Sequence, residues 1–371
     1  MLKCKKINCT GCGVCSYSCP KNAIKMLEND EGFLYPKINK KLCIECDVCN
    51  LVCPVMIRKS ENSNNKCFAV QLSDSKILKK CASGGAFWGI ANTVIQKNGT
   101  VFGVEDCCGK LNYLKVNTIN ALEKLTGSKY YQCTLTADDY QEIKEASKIG
   151  LTLVSGTPCM VSAIKNMREI NLENLITFEI LCQGVPSKTV IQKFYHEKEK
   201  QSNKKIKKHY FRSKDKYIGR NYLNRYDYDN GEIEYLVGED DPLSLSFQRQ
   251  IFLRESCYRC KYSNEERVAD FTAGDLWNYD LKIIDIRKGC SVLLCNSQKS
   301  LKLLYDSNDF IFEEIDSIKA LENNIPYHFS VKRPYSRNYS YKLLKKISPL
   351  FTTKICCYKY YIKKIFLRGK Q

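Results

Sequence analysis

The chain has 371 residues, enough for two or three domains at roughly 100 to 200 residues each, and 22 of them are cysteine. Its formal charge is +19, but twelve Lys or Arg and no acid lie between Lys332 and Gln371, so the excess belongs to the tail and excludes a nucleic-acid footprint. No apolar run of about 18 residues occurs and no apolar export segment leads the chain, which predicts a cytoplasmic protein without membrane spans, in the reducing interior of an anaerobe.

The first 58 residues carry one spacing twice: Cys9-x2-Cys12-x2-Cys15-x3-Cys19-Pro20, then Cys43-x2-Cys46-x2-Cys49-x3-Cys53-Pro54. Three thiolates at this interval on a tight loop reach three corners of one iron-sulfur cube, and the fourth, held off by the proline, faces the other cube. Cys9, Cys12, Cys15 and Cys53 are therefore expected to hold one 4Fe-4S cluster, and Cys43, Cys46, Cys49 and Cys19 the second. Zinc seldom uses a third cysteine at the same interval, disulfides need an oxidising compartment, and chance does not repeat identical gaps. Residues 22–28 and 31–36 read as short strands turned by Gly32. The segment resembles bacterial two-cluster ferredoxins over residues 1–58, and the polar stretch 59–66 reads as a linker.

Beyond it, residues 67–72 form a short strand and Ile77 to Lys80 a helical fragment. Ala82-Ser83-Gly84-Gly85 feeds an apolar helix that Ser83 can cap, with N–H groups facing a phosphate or with the glycines serving close packing. A strand follows at Thr100–Val104, helical segments at Ile119–Leu125 and Asp138–Ile149, and between them the loop Gly127-Ser128-Lys129-Tyr130. Strand 151–155, a helix over 160–170, strand 174–181 and a helix over 189–200 capped by Ser187 argue for a parallel sheet with right-handed crossovers. Cys159 and Cys182 fall just past the carboxyl ends of the two strands, where such sheets bind ligands. A basic strand at residues 210–214, a hairpin from Tyr222 to Leu236 about Asn230-Gly231, the pair Cys257-x2-Cys260, and strands ending at Gly274-Asp275 and Asn296 complete the pattern. The pair Cys257-x2-Cys260 alone fits redox, zinc or accident equally. The expected fold is thus α+β and α/β: a ferredoxin-type domain at 1–58, then a larger α/β domain at 67–330 with a largely parallel sheet, divided near residue 150, and a basic tail at 331–371.

The ordered blocks Ala82-Ser83-Gly84-Gly85, Gly127-Ser128-Lys129-Tyr130, Ser155-Gly156-Thr157-Pro158-Cys159, Cys182-Gln183-Gly184-Val185-Pro186-Ser187, Phe211-Arg212-Ser213-Lys214, Cys257-x2-Cys260 and Gly274-Asp275-Leu276-Trp277 resemble the β subunit of coenzyme F420 hydrogenases and dehydrogenases. The resemblance spans about residues 66–300, and the fused ferredoxin unit is also similar to members of that family. It implies FAD, with Ser83, Gly84, Gly85 and Lys129 at its pocket, and a third 4Fe-4S cluster on Cys159, Cys182, Cys257 and Cys260. It implies an oxidoreductase that exchanges hydride between reduced coenzyme F420, or a substitute carrier, and FAD, and that passes single electrons through the clusters to a redox partner protein. Two departures put the hydride carrier in doubt: Gln183 stands where relatives often have His, and Leu276 and Asn278 interrupt a Gly-Asp-Phe-Trp-Gly pattern. A non-catalytic electron-relay subunit and a reductase of a sugar or polymer substrate are the competing functions. The apolar and basic tail is expected either to pack back on the domain or to lie on an anionic membrane surface. Cys107, Cys108, Cys356 and Cys357 read as structural or incidental.

Overall fold

The computed structural model describes residues 2–60, 66–216 and 223–362, so most of the 59–66 linker, Tyr222 and the end of the tail lie outside the described residues. Helices α1 (Val14–Tyr17) and α2 (Val48–Leu51) each grow out of a cysteine loop, and β1 (Ile24–Glu28) pairs antiparallel with β2 (Leu34–Ile38) between them. The repeat in the sequence is also a repeat in the backbone. Gly11 and Gly13 have φ of 72° and 86°, and the residues at the same places in the second loop, Glu45 and Asp47, have φ of 55° and 60°. Left-handed backbone costs a non-glycine residue roughly 1 kcal/mol, so the second loop adopts this shape against its own composition. Asp47 is secured there, accepting from Asn50 Nδ2 at 2.6 Å and from Lys3 Nζ at 3.2 Å.

The larger part begins with β3 (Lys66–Leu72), α3 (Ser75–Lys80), α4 (Ala86–Gln96), β4 (Thr100–Asp106) and β5 (Leu111–Val116). Then come α5 (Ile119–Leu122), α6 (Ala137–Ile149), β6 (Thr152–Gly156), α7 (Pro158–Lys165), β7 (Leu175–Ile180) and α8 (Lys188–Ser202). Strands β8 (Ile206–Ser213), β9 (Leu223–Tyr228) and β10 (Ile233–Val237) form a separate antiparallel sheet turned at Asn230-Gly231, and α9 (Pro242–Gln248) follows. The chain then returns through β11 (Phe271–Asp275), β12 (Ser291–Cys295), α10 (Gln298–Tyr305) and β13 (Phe310–Glu314). The large sheet has the order β13-β3-β12-β11-β7-β6-β4-β5.

Its centre, β4, β6, β7 and β11, is parallel, and the flanking strands are antiparallel. The parallel expectation thus describes the middle of a mixed sheet. The reason is connection length: α6 and α7 are crossovers between parallel neighbours, whereas Cys107 to Lys110 is a tight turn that can only return β5 antiparallel. Both faces of the centre are covered, by α4 and α10 on one side and by α6 and α7 on the other, which is why these strands are nearly continuous apolar runs.

Toward the end of the described chain come the short helices α11 (Ser317–Leu321), α12 (Ile325–His328), α13 (Arg337–Leu344) and α14 (Pro349–Cys356). Tyr341, Leu344 and Cys357 enter the core shared by α8 and the small sheet. Arg337 is 3% exposed and forms a paired bond to the Glu31 carboxylate at 2.6 and 2.7 Å, while Lys345 meets Asp30 at 2.7 Å. This part of the tail therefore packs back and ties the ferredoxin unit to the larger domain. Among the described residues no helix is long and apolar enough to cross a membrane.

Candidate functional site

The larger domain holds the first cysteine loop by its carbonyls. Arg254 Nε donates to Cys9 O at 2.8 Å, Gln132 Nε2 to Thr10 O at 2.9 Å, and Tyr140 Oη to Cys12 O at 2.7 Å. Beyond Cys53, Tyr262 Oη donates to Pro54 O at 2.8 Å and Lys261 Nζ to Val55 O at 3.0 Å. Arg254 is 1% exposed and also donates to Leu34 O and Gln132 Oε1, with the Tyr35 ring at 4.3 Å. A Cβ on Gly11 would sit 2.7 Å from the guanidinium, so the loop and the cation are fitted to each other. None of these partners is a carboxylate. A buried cation needs compensating negative charge, and a cube held by four thiolates beside Cys9 would provide it.

The thiols of this loop are close enough to feel one another. Burial pushes Cys12 up to about 12, with Cys9 and Cys159 adding to the effect, and burial followed by Cys12, Cys9 and Cys53 raises Cys15. The Gly11 amide points at the Cys9 sulfur and the Val14 amide at that of Cys12; left-handed turns converge N–H groups in this way on anionic sulfur. Cys4, which the spacing did not single out, is the first cause that lowers the Cys9 and Cys53 thiols, favouring their thiolate forms. Cys19, Cys43, Cys46 and Cys49 surround a separate cavity of about 20 Å³. The fold thus brings Cys53 to the first array and Cys19 to the second. The second array is the outer one, with Cys46 exposed.

Cys159 and Cys182 follow β6 and β7 at the carboxyl edge of the parallel centre, and Cys257 and Cys260 approach from a single 3₁₀ turn, Glu255–Arg259, that follows α9. Burial is the first cause of the raised Cys159, Cys182 and Cys257, to about 11 for Cys159 and about 12 for Cys257, and other thiols of this set add to each. Amides of Gly184 and Val185 point at Cys182 and Cys257. All four cysteines line one cavity of about 640 Å³, and Cys12 lines it as well.

Ser83, Gly85 and Lys129 lie on the wall of the same cavity. Ser83 does not cap α4; Gly85, at φ 77°, is the residue before its first turn, and Ser83 Oγ donates to Cys290 O at 2.6 Å. Ser83 sits at φ 48° because its turn is pinned to the end of β12. Gly84 is off the wall: a Cβ there would lie 2.1 Å from Val70 O and 2.5 Å from Ser291 N, so close packing on β3 and β12 requires glycine. Lys129 Nζ donates to Leu125 O at 2.7 Å and Thr126 O at 2.8 Å, and burial lowers it to about 8. Trp88 lines the cavity and its buried Nε1 has no hydrogen-bond partner among the described residues. Arg212 and Asp275, also on the wall, pair at 2.9 Å. Among the described residues no three His, Cys, Asp or Glu side chains converge on a site for a single metal ion.

Comparison with known proteins follows the same division. Residues 8–57 match the 4Fe-4S dicluster domain, and residues 150–319 match the C terminus of the coenzyme F420 hydrogenase/dehydrogenase, beta subunit. The chain is thus similar to a 4Fe-4S dicluster domain in its amino-terminal part and to the C terminus of that β subunit in its carboxyl-terminal half. The matched β-subunit family is one of oxidoreductases, and the dicluster match supports 4Fe-4S clusters over residues 8–57. A chain of the F420-reducing NiFe hydrogenase complex from Methanosarcina barkeri is similar at 15% identity, over 81% of this chain and 93% of that one, with a TM-score of 0.48. No curated protein matches the sequence.

The β-subunit match begins at residue 150 and takes in Cys159, Cys182, Cys257 and Cys260, whereas Ser83 and Lys129 precede it. Arg254, Gln132 and Trp88 had no sequence signal of their own. Arg254 stands three residues before Cys257, but its burial between the two domains depends on contacts with Cys9 and Leu34, more than two hundred residues away in the chain.

Proposed function

We propose that the protein is an iron-sulfur flavoprotein in which a hydride carrier, reduced coenzyme F420 or a substitute, exchanges two electrons in the large cavity and the cysteine sets conduct them singly to the outer array. One observation carries this reading: the Ser83 and Lys129 loops, the four cysteines past the parallel strands, and Cys12 of the first array all line a single cavity. FAD bound there would supply the conversion between two-electron and one-electron steps, and 4Fe-4S clusters the one-electron conduction. Lys129, Trp88 Nε1 and the Arg212–Asp275 pair would supply polar groups for the flavin, with Lys129 charged below about pH 8. Cys159, Cys182, Cys257 and Cys260 would hold the third cluster between the flavin and the first array. Arg254, anchored on Cys9 O, fixes the first loop against that wall. Gln183 lies on the wall where relatives often have His, so this chain has no group titrating near neutrality at that position.

The test is steady-state reduction of a viologen dye under argon by reduced F420 or by NADH, with flavin released by heat and identified. Turnover with one of the donors, lost when FAD is removed and restored when it is added back, supports the proposal. Clusters without flavin or turnover would make the chain a relay instead.

A further inference from the structure

The ferredoxin unit has nine basic residues and five acidic ones within its first 58 positions. The acids are largely committed. Asp30 meets Lys345, Glu31 meets Arg337 and Asp47 meets Lys3, while Glu28 accepts from Thr189. Lys21, Lys25, Lys37, Lys40 and Lys41 are exposed, and among the described residues no ion pair engages them. Lys25 and Lys37 are directly opposite each other on β1 and β2. Like charges in that relation destabilise a sheet, so folding alone does not favour them.

This charge borders the outer cysteine array. Lys21 lines its cavity together with one exposed acid, Glu45, and Lys40 and Lys41 precede Cys43. Beside them Leu42 and Ile44 are 50% and 57% exposed, and Cys46 is exposed. An apolar centre with a charged rim is the anatomy of a protein interface rather than of a phosphate-binding surface, and small, weak interfaces typify electron-transfer encounters.

We propose that this face is the docking surface for an acidic one-electron carrier protein, which meets the chain at the Cys19, Cys43, Cys46 and Cys49 array. The proposal rests on the redox reading given above. Lysines steer the acidic partner by long-range attraction, and Leu42 and Ile44 make the contact. The electron moves from the reduced array to the oxidised carrier, or in reverse, with no bond made or broken.

The test uses the full chain with clusters loaded and, as probe, a purified acidic two-cluster ferredoxin. Binding is followed by calorimetry and electron exchange by stopped flow, across a salt series. The double variant Lys21→Glu/Lys40→Glu reverses the charge beside the outer array. The wild type is expected to lose about tenfold in affinity between roughly 0.02 and 0.5 M salt, and the variant to bind about tenfold more weakly at low salt and converge with it at high salt. Salt-independent binding, equal binding by the variant, or binding of phosphatidylserine vesicles or duplex DNA in place of the ferredoxin would overturn the proposal. Iron content of the same samples tests the redox reading separately, because calorimetry reads lysine-dependent docking whether or not electrons pass.

Discussion

Replacing Arg254 by alanine is expected to release the first cysteine loop from the larger domain. The guanidinium makes bonds of 2.8 Å to Cys9 O, 2.8 Å to Leu34 O and 3.1 Å to Gln132 Oε1. Hydrogen bonds to a charged group are worth about 1.5 to 3 kcal/mol each, which sets an upper bound of roughly 5 to 9 kcal/mol. Removing the ion also removes its desolvation cost, and that brings the net loss to about 3 to 5 kcal/mol. The matching assay is amide hydrogen exchange at Gly11 to Cys15, read as the opening of that loop. With 1.36 kcal/mol per factor of ten, exchange should quicken by about a hundredfold to several thousandfold, while β6 and β7 keep their protection. Gly11→Ala should do the same from the other side, because its Cβ would sit 2.7 Å from the guanidinium and its φ is +72°. Loss of the cation should also move the first array to a more negative reduction potential, since an added electron there would lose its neighbouring positive charge. Unchanged exchange in both variants would refute the clamp.

Three other outcomes are expected. Burial places Lys129 at about 8, so its charge is present below that pH and lost above it; FAD affinity should weaken by roughly tenfold from pH 7 to 9, and Lys129→Met should bind weakly with a flat profile, whereas a flat wild-type profile would contradict the assignment. Burial lowers His209 from 6.5 to about 3; below pH 6.5 the unfolded chain takes up a proton that the folded chain refuses until about 3, so stability falls as the pH drops through that window, by about 2 kcal/mol between pH 7 and 5. Urea titrations at the two pH values should show this loss in the wild type and not in His209→Gln, and parallel losses would exclude His209 as the source. Glu45→Gly should stabilise the second loop by about 1 kcal/mol through relief of left-handed strain, seen as slower local exchange, whereas Asp47→Gly should not, because it forfeits the bonds to Asn50 and Lys3.

Much of this architecture is legible in the chain because local rules and tertiary demands agree. Cysteine spacing predicted two loops, and the matching positive φ values at Gly11 and Glu45, and at Gly13 and Asp47, give them the same backbone. Ser187 caps α8 as its place before the helix implied, accepting from the Val190 amide. Other features depended on contacts that no local pattern encodes. Ser83 has the composition of a cap, but a bond to Cys290 O across the sheet takes its hydroxyl away. Gly84 has the composition of a ligand-binding turn, but Val70 and Ser291 crowd it. The antiparallel flanks of the sheet follow from return connections whose direction the strand pattern leaves open. The tail looked like a separate basic segment because its lysines dominate the composition; Tyr341, Leu344 and Arg337 are few, but they are the residues that dock.

The most direct measurement is iron, acid-labile sulfide and flavin per chain after purification without oxygen. The account predicts about twelve irons, matching sulfide and one flavin, with Cys257→Ser/Cys260→Ser reducing the iron to about eight. Eight irons in both proteins and no flavin would leave only the amino-terminal arrays and contradict the proposed cavity chemistry; zinc in a colourless protein would contradict the account as a whole.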